Sequence, residues 1–283
     1  MKNKIKVESS FRDIKKFLSI PSYRKGVIEE APETPINANF AVNSAANFLH
    51  PSTQYLKVKQ VAEIGRDVRA YVLEPDPAHG TAKLAYFRPG QYLSITLNIG
   101  SAVVTRPYTI CSSPLRSVDD EYVIIVKKIP HGFASTHIFN TWTKGTQIVA
   151  SAPQGNFYYQ KLRDSKNIVA VCESNGISSF LSMAEAIVDG TLDIDLTLLY
   201  SARKRNETIM TERLSELSEN TDKFRVVYVF SDERAEKSER GFVTKTLIEK
   251  YAPASKFSIF VCGSTALYNR ITPQIAELKL EKK

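Results

Sequence analysis

Residues Arg106-Pro-Tyr-Thr-Ile-Cys-Ser-Ser113 read as one short β-strand. Successive side chains on an extended backbone face opposite ways, so Arg106, Tyr108 and Ile110 share one face and Thr109 takes the other. Arginine offers a two-pronged contact to phosphate, and a tyrosine two positions on offers a flat ring for stacking. Thr109 can hydrogen-bond the reactive nitrogen of a ring held there, through its hydroxyl or its N–H. The three together form a compact kit for a flavin. The plain alternative is a barrel strand with one salt-bridged arginine.

Around this strand the hydrophobic period is two. Runs at 55–62, 67–74, 90–97, 104–111, 121–128 and 146–151 are separated by turn signals such as Pro75-Asp-Pro77, Arg88-Pro-Gly90 and Val118-Asp-Asp120. Short strands in that number predict a closed, antiparallel six-stranded β-barrel, interrupted by a helix at 134–142. Beyond Phe157 the pattern changes. Apolar runs at 167–172, 194–200, 224–230 and 257–262 alternate with helical segments near 177–188, 211–219, 242–250 and 265–279. This alternation predicts an α/β domain with a parallel sheet, whose ligands bind at the C-terminal ends of its strands. The expected organisation is an N-terminal helical arm and linker over 1–53, a barrel domain over 54–158 and an α/β domain over 159–283.

Composition narrows the classes. At 283 residues and 43% hydrophobic content the chain can bury two cores. It contains no apolar run of about eighteen residues, so no membrane span is expected. Its charged N-terminus lacks the apolar core of a secretory signal, and its three separated cysteines (Cys111, Cys172, Cys262) fit a reducing cytoplasm. Their number and spacing exclude an all-cysteine cluster or zinc site, and His50, His79 and His137 show no ligand spacing, so no metal is expected.

The net charge of +8 is concentrated at the N-terminus: residues 1–26 hold eight Lys or Arg against Glu8 and Asp13. No zinc finger, helix-turn-helix or RNP-like pattern accompanies it, so no nucleic-acid partner is expected. Ser10-Phe-Arg-Asp13 resembles a capping box opening a short helix that should end before Pro21. Its stripe of Phe11, Ile14, Phe17 and Leu18, flanked by cations, suits docking on its own protein or on a membrane surface. Residues 31–53 read as a connector with about one helical turn.

A second local signal lies at Lys127-Lys-Ile-Pro-His-Gly-Phe-Ala-Ser135, where a strand ends in a glycine turn and opens a helix. Backbone N–H groups there, with Ser135 and Thr136, make a site for a pyrophosphate; the plain alternative is a helix cap. Two phosphate-directed features in one barrel favour a dinucleotide flavin.

From about Tyr55 onward the chain resembles the ferredoxin–NADP reductase superfamily, especially the reductase components of bacterial oxygenases. The resemblance rests on six ordered segments. They are Arg88-Pro-Gly-Gln-Tyr92, Arg106-Pro-Tyr-Thr109, Gly132–Thr136, the barrel-closing Trp142-Thr-Lys-Gly145 with Ala152-Pro-Gln-Gly-Asn-Phe157, Asn175-Gly-Ile-Ser-Ser-Phe-Leu-Ser-Met183 and Val261-Cys-Gly-Ser264. It implies an FAD-binding barrel followed by an NAD(P)-binding domain, hydride transfer from NADPH or NADH to FAD, and onward single-electron transfer to a ferredoxin, flavodoxin or oxygenase. It implies that Arg106 holds flavin phosphate, Tyr108 stacks on the ring and Thr109 meets the reactive centre, with Pro107 between them also in the cofactor site. Val126, Lys127, Gly132, Ala134, Ser135 and Thr136 would complete the FAD site. Gly176, Ile177, Ser178 and Arg203 would hold the nicotinamide dinucleotide, with Cys262 and Gly263 beside the nicotinamide. Tyr108, Thr109 and Cys262 are the residues placed at the reacting centre.

Three departures qualify the resemblance. Glu173-Ser174 stands where the family usually has a glycine pair, and a carboxylate there opposes a pyrophosphate. Ser179 replaces the usual proline. A flavin-binding subunit or regulatory protein that does not use NAD(P)H therefore stays open as the alternative. The chain ends at Leu280-Glu-Lys-Lys283 inside what reads as a helix, where plant-type members close with an aromatic residue and oxygenase reductases often continue into a ferredoxin domain. A piece of a longer fusion and a reductase with a separate partner both fit. For coenzyme choice, Ser201-Ala-Arg-Lys-Arg205 offers three cations for a 2′-phosphate, which tips the expectation towards NADPH, although arginine at the position of Arg203 is also common in NADH-using relatives.

Overall fold

The computed structural model describes residues 11–31 and 40–278. Contacts divide the chain into two units, residues 1–44 and 45–283. In the first, helix α1 (Phe11–Glu29) runs through Pro21 instead of ending before it. Proline removes one backbone donor; nearby carbonyls are served by side chains, with Ser19 Oγ donating to Lys16 O at 2.7 Å and Ser22 Oγ to Ser19 O at 3.3 Å. Ile14, Phe17 and Leu18 of the expected stripe are exposed. Ser10 and residues 32–39 and 279–283 lie outside the described residues, so the capping box and the end of the last helix do too. Helix α2 (Ala41–Leu49) is longer than the single turn expected of the connector.

The second unit begins with six antiparallel strands: β1 (Thr53–Gly65), β2 (Val68–Pro75), β3 (Tyr92–Ile99), β4 (Ala102–Thr109), β5 (Tyr122–Lys127) and β6 (Gln147–Ser151). They pair in the order β4-β3-β6-β1-β2-β5. Alternation sets the inward face: Leu93, Ile95 and Leu97 of β3 meet Leu56, Val58, Tyr71, Tyr122 and Ile124 in one core. The ends of the sheet, β4 and β5, share no ladder among the described residues; just beyond β4 they are tied by the bridge Ile110↔Ile124 and by bonds from Cys111 N to Val123 O at 2.8 Å and from Val123 N to Ser112 Oγ at 3.1 Å. The expected closed barrel is therefore a half-barrel, zipped at one end of its seam and open at the other. Two helices accompany it: α3 (Pro114–Val118), absent from the sequence reading, and α4 (Phe133–Thr141).

The parallel sheet follows: β7 (Asn167–Glu173), β8 (Asp195–Ala202), β9 (Phe224–Phe230), the short β10 (Ser238–Arg240) and β11 (Phe257–Cys262), in the order β10-β9-β8-β7-β11. Helices α5 (Ile177–Val188), α6 (Thr211–Glu219), α7 (Lys245–Tyr251) and α8 (Thr265–Glu277) connect it. Residues Ile168 to Cys172 of β7 are all buried because both faces are covered, which is why this strand reads as a continuous apolar run. Strand order reverses at β7, between β8 and β11, and that reversal opens a crevice at its C-terminal end.

The two sheets share an apolar cluster. Val68, Cys111, Val123 and Ile125 of the barrel pack with Ile177, Phe180, Leu181 and Ala184 of α5. Polar contacts fix the same junction: Ser182 Oγ donates to Ser112 O at 2.7 Å and Ser113 N to Glu185 Oε2 at 2.9 Å. This places the N-terminus of α5 beside the open part of the β4–β5 seam. No helix among the described residues is long and apolar enough to cross a membrane.

Candidate functional site

The open seam forms a cavity of about 400 Å³ lined by Arg106, Pro107, Tyr108, Thr109, Lys127, Gly132, Ala134 and Ser135, with Asn175 and Ser178 from the parallel-sheet side. The β3–β4 register pairs Ile95 with Arg106 and Leu93 with Tyr108, so both residues project from the face that lines the barrel core. Tyr108 is half-buried against that core, and burial pushes its phenol up to about 12, with the Arg106 guanidinium opposing the shift. The ring is thus a neutral stacking surface at neutral pH. Arg106 is exposed and borders the cavity, with Nη1 donating to Thr105 O at 2.8 Å.

Across the seam, α4 begins at Gly132, which supplies no side-chain cap. Its first N–H groups therefore have no intrahelical partner. A Cβ at Gly132 would lie 2.5 Å from Ser135 Oγ and 2.9 Å from Ile129 O, so only glycine lets the chain turn this tightly. Ser135 Oγ accepts from Ile129 N at 3.0 Å and holds that turn. Val126 is buried in the barrel core, and Thr136 does not border the cavity.

A second cavity, of about 800 Å³, lies over the C-terminal ends of β7 and β8. It is lined by Glu173, Ser174, Asn175, Arg203, Glu207 and Asp232 among others, and Lys127 and Asn175 border both cavities. Asn175 Oδ1 is a buried acceptor without a protein partner, at the junction of the two. The Glu173 carboxylate borders the cavity but is not free: it accepts from the Ser264 hydroxyl and from Ser264 N at 3.3 Å, at the start of α8. Ser174 sits at φ 49°, and its Oγ accepts from Lys127 Nζ at 3.2 Å while Tyr200 OH donates to its carbonyl at 3.4 Å. The strand-to-helix turn is a short 3₁₀ segment, Ser174–Gly176. At Gly176 a Cβ would stand 2.1 Å from Cys262 O. The turn can lie against the end of β11 only with glycine there.

The remaining expected residues are placed differently. Ser178 is buried at the N-terminus of α5, on the seam, whereas Ile177 is packed in the core. Cys262 ends β11, Gly263 follows it, and neither borders either cavity. Burial pushes the Cys262 thiol up, and the Ser179 hydroxyl, 3.9 Å from Sγ, opposes this. Ser179 thus joins α5 to β11 through its side chain. Sequence reading missed Glu207 and Asp232 as lining residues; the spacing of four between Arg203 and Glu207 was the one signal available. Among the described residues no group of His, Cys, Asp and Glu could hold a metal ion.

The residues fit a dinucleotide flavin beside a second dinucleotide. The seam offers a flat ring, an exposed arginine and uncapped helix N–H groups; the junction offers an orphaned buried acceptor. Comparison with known proteins agrees. A family model described as an oxidoreductase FAD-binding domain matches residues 55–159, and one described as an oxidoreductase NAD-binding domain matches residues 171–272. The glycine betaine monooxygenase reductase subunit of Chromohalobacter salexigens is 29% identical over 204 residues, covering 70% of this chain and 54% of that protein. NADH-cytochrome b5 reductase 1 of Mycosarcoma maydis is 28% identical over 201 residues, covering 68% of this chain and 60% of that protein. The chain thus spans little more than half the length of these relatives. The FAD/NAD-binding domain of a Vibrio cholerae nitric oxide dioxygenase shares the fold, with a TM-score of 0.70 at 20% identity over 81% of this chain and 94% of that one. With an FAD-binding half-barrel followed by an NAD-binding parallel sheet, the chain belongs to the ferredoxin–NADP reductase superfamily.

Proposed function

We propose that the chain is an FAD-dependent NAD(P)H oxidoreductase that delivers electrons to a protein acceptor of the oxygenase, cytochrome or iron–sulfur kind. The observation that carries this reading is the adjacency of the two cavities, with Lys127 and Asn175 on the boundary of both. Arg106 holds a phosphate of FAD, the helix start at Gly132–Ser135 takes the pyrophosphate, and Tyr108 stacks on the ring. Thr109 donates a hydrogen bond near the ring's reactive edge. The turn at Ser174–Gly176 and the N-terminus of α5 cradle the pyrophosphate of the second dinucleotide. Bound there, the flavin supplies hydride acceptance from the nicotinamide and release of electrons one at a time. Glu173 favours this reading over a subunit that ignores NAD(P)H, because Ser264 engages the carboxylate that would otherwise face the pyrophosphate. The relatives named above support two of these acceptor classes, the oxygenase type from the first and the cytochrome type from the second.

The test is anaerobic titration of the FAD-loaded chain with NADH and with NADPH, followed by flavin absorbance. Stoichiometric bleaching by either coenzyme is expected. Tightly bound FAD that both coenzymes leave oxidised would select the subunit that does not use NAD(P)H.

A further inference from the structure

Strand β8 is the second strand of the parallel sheet, and its end is where the adenosine ribose of a dinucleotide meets a βαβ unit. That end is Ser201-Ala-Arg-Lys-Arg205, whose three cations favour a phosphorylated ribose when read as sequence. The structure disposes of them differently. Arg203 lines the cavity, but Glu207 takes the Nε/Nη2 edge of its guanidinium, Nη2 to Oε1 at 2.7 Å and Nε to Oε2 at 3.3 Å. Arg205 does not line the cavity; its Nη2 donates to Glu236 O at 3.0 Å and its N–H to Glu233 Oε2 at 3.2 Å. Lys204 does not line it either. A second carboxylate, Asp232, stands at the next strand end, where Asp232 N donates to Arg203 O at 3.0 Å. One guanidinium therefore shares this corner with two carboxylates. The other cations of the cavity sit on different elements: Arg66, Lys127 and Lys128 on the barrel, and Arg270 stacked 4.3 Å over the Phe242 ring.

We propose that this corner selects the dinucleotide with a free adenosine 2′-hydroxyl, NADH, and that Glu207 is the specificity-determining residue. The inference rests on the nucleotide-site reading given above. A 2′-phosphate carries about −1.5 to −2 charges at neutral pH. To bind, it must displace Glu207 from Arg203 or lie beside Glu207 and Asp232, and either course is unfavourable. A ribose hydroxyl can donate to a carboxylate instead.

The test uses the full FAD-loaded chain and binding alone: calorimetric titration with ADP-ribose and with 2′-phospho-ADP-ribose, for wild type and Glu207→Gln. Retained flavin absorbance and melting temperature check the fold of the variant. Wild type is expected to bind ADP-ribose at least tenfold more tightly than the 2′-phosphate. Glu207→Gln should narrow that ratio to threefold or less through a gain for the phosphorylated ligand. Equal or reversed preference in wild type, or a ratio unmoved by Glu207→Gln, overturns the proposal. If neither ligand binds, the nucleotide-site reading falls and the specificity proposal falls with it.

Discussion

The seam of the half-barrel and the crevice of the parallel sheet are built by opposite means. In the seam, β4 and β5 stop pairing beyond Ile110↔Ile124, and the space is furnished by neighbours in sequence: Arg106, Tyr108 and Thr109 on one strand, Gly132–Ser135 on one turn. In the crevice, apart from the local pair Arg203–Glu207, the turn after β7 is held by partners far along the chain. Glu173 is engaged by Ser264, Ser174 by Lys127, and Gly176 lies under the carbonyl of Cys262. A site made by leaving a sheet unzipped can be read from one octapeptide. A site made by long-range compensation of charge cannot.

The contrast predicts that damage to the seam stays in the seam. Arg106→Ala combined with Tyr108→Ala should weaken FAD binding about thirtyfold or more, since a charged hydrogen bond contributes about 1.5–3 kcal/mol and a stacked ring about 0.5–1.5 kcal/mol. ADP-ribose affinity, measured by calorimetry on the same protein, should change by less than threefold; a parallel loss would break the separation. In the crevice, Gly176→Ala should destabilise the fold by about 2–4 kcal/mol, because its Cβ would stand 2.1 Å from Cys262 O. Denaturant unfolding reads this directly.

Lys127→Met tests the boundary. It removes the one cation that borders both cavities and its bond to Ser174, so FAD and ADP-ribose affinities should both fall, by about three- to tenfold each. A loss confined to one ligand would assign Lys127 to that cavity alone. Glu173→Gln should raise ADP-ribose affinity by a factor below about five, the most that one exposed charge at 4 Å supplies in water. A larger gain would mean that Ser264 does not shield the carboxylate.

These differences explain what was legible in the sequence. The six barrel strands and the spans of α5, α6, β9 and β11 follow from hydrophobic period, because burial on one face or both leaves that signature. The three-residue β10 and five-residue α3 are too short to show a period, and α1 continues through Pro21 where the local rule ends it. Barrel closure was overestimated because alternation fixes which face a strand buries, not whether its last neighbour pairs. At the site, Arg106, Tyr108, Gly132 and Ser135 were readable as a local cluster. The NADPH expectation rested on the cations Arg203 and Arg205, and the partners those cations take, Glu207, Glu233 and Glu236, become visible only after folding.

The smallest expected effect lies at the opposite end of the parallel sheet. Lys166 and Lys223 hold the exposed Asp193 carboxyl down at about 2. A carboxyl whose folded-state value is depressed contributes stability above its unfolded value and loses it as pH falls through the folded one. Asp193→Asn should therefore flatten the stability profile between about pH 4 and pH 2 and leave it unchanged above pH 5. Denaturant midpoints at several pH values measure the difference, and an equal slope in both proteins would remove the ion pairs from the account.

The central claim is that the unzipped β4–β5 seam is the flavin site, and a crystal structure of the chain grown with FAD tests it most directly. The account predicts the isoalloxazine ring stacked on Tyr108, a phosphate within hydrogen-bond reach of Arg106 and the pyrophosphate at the N–H groups following Gly132. Density for FAD elsewhere, or a seam that zips closed with β4 paired to β5 along its length, would contradict it.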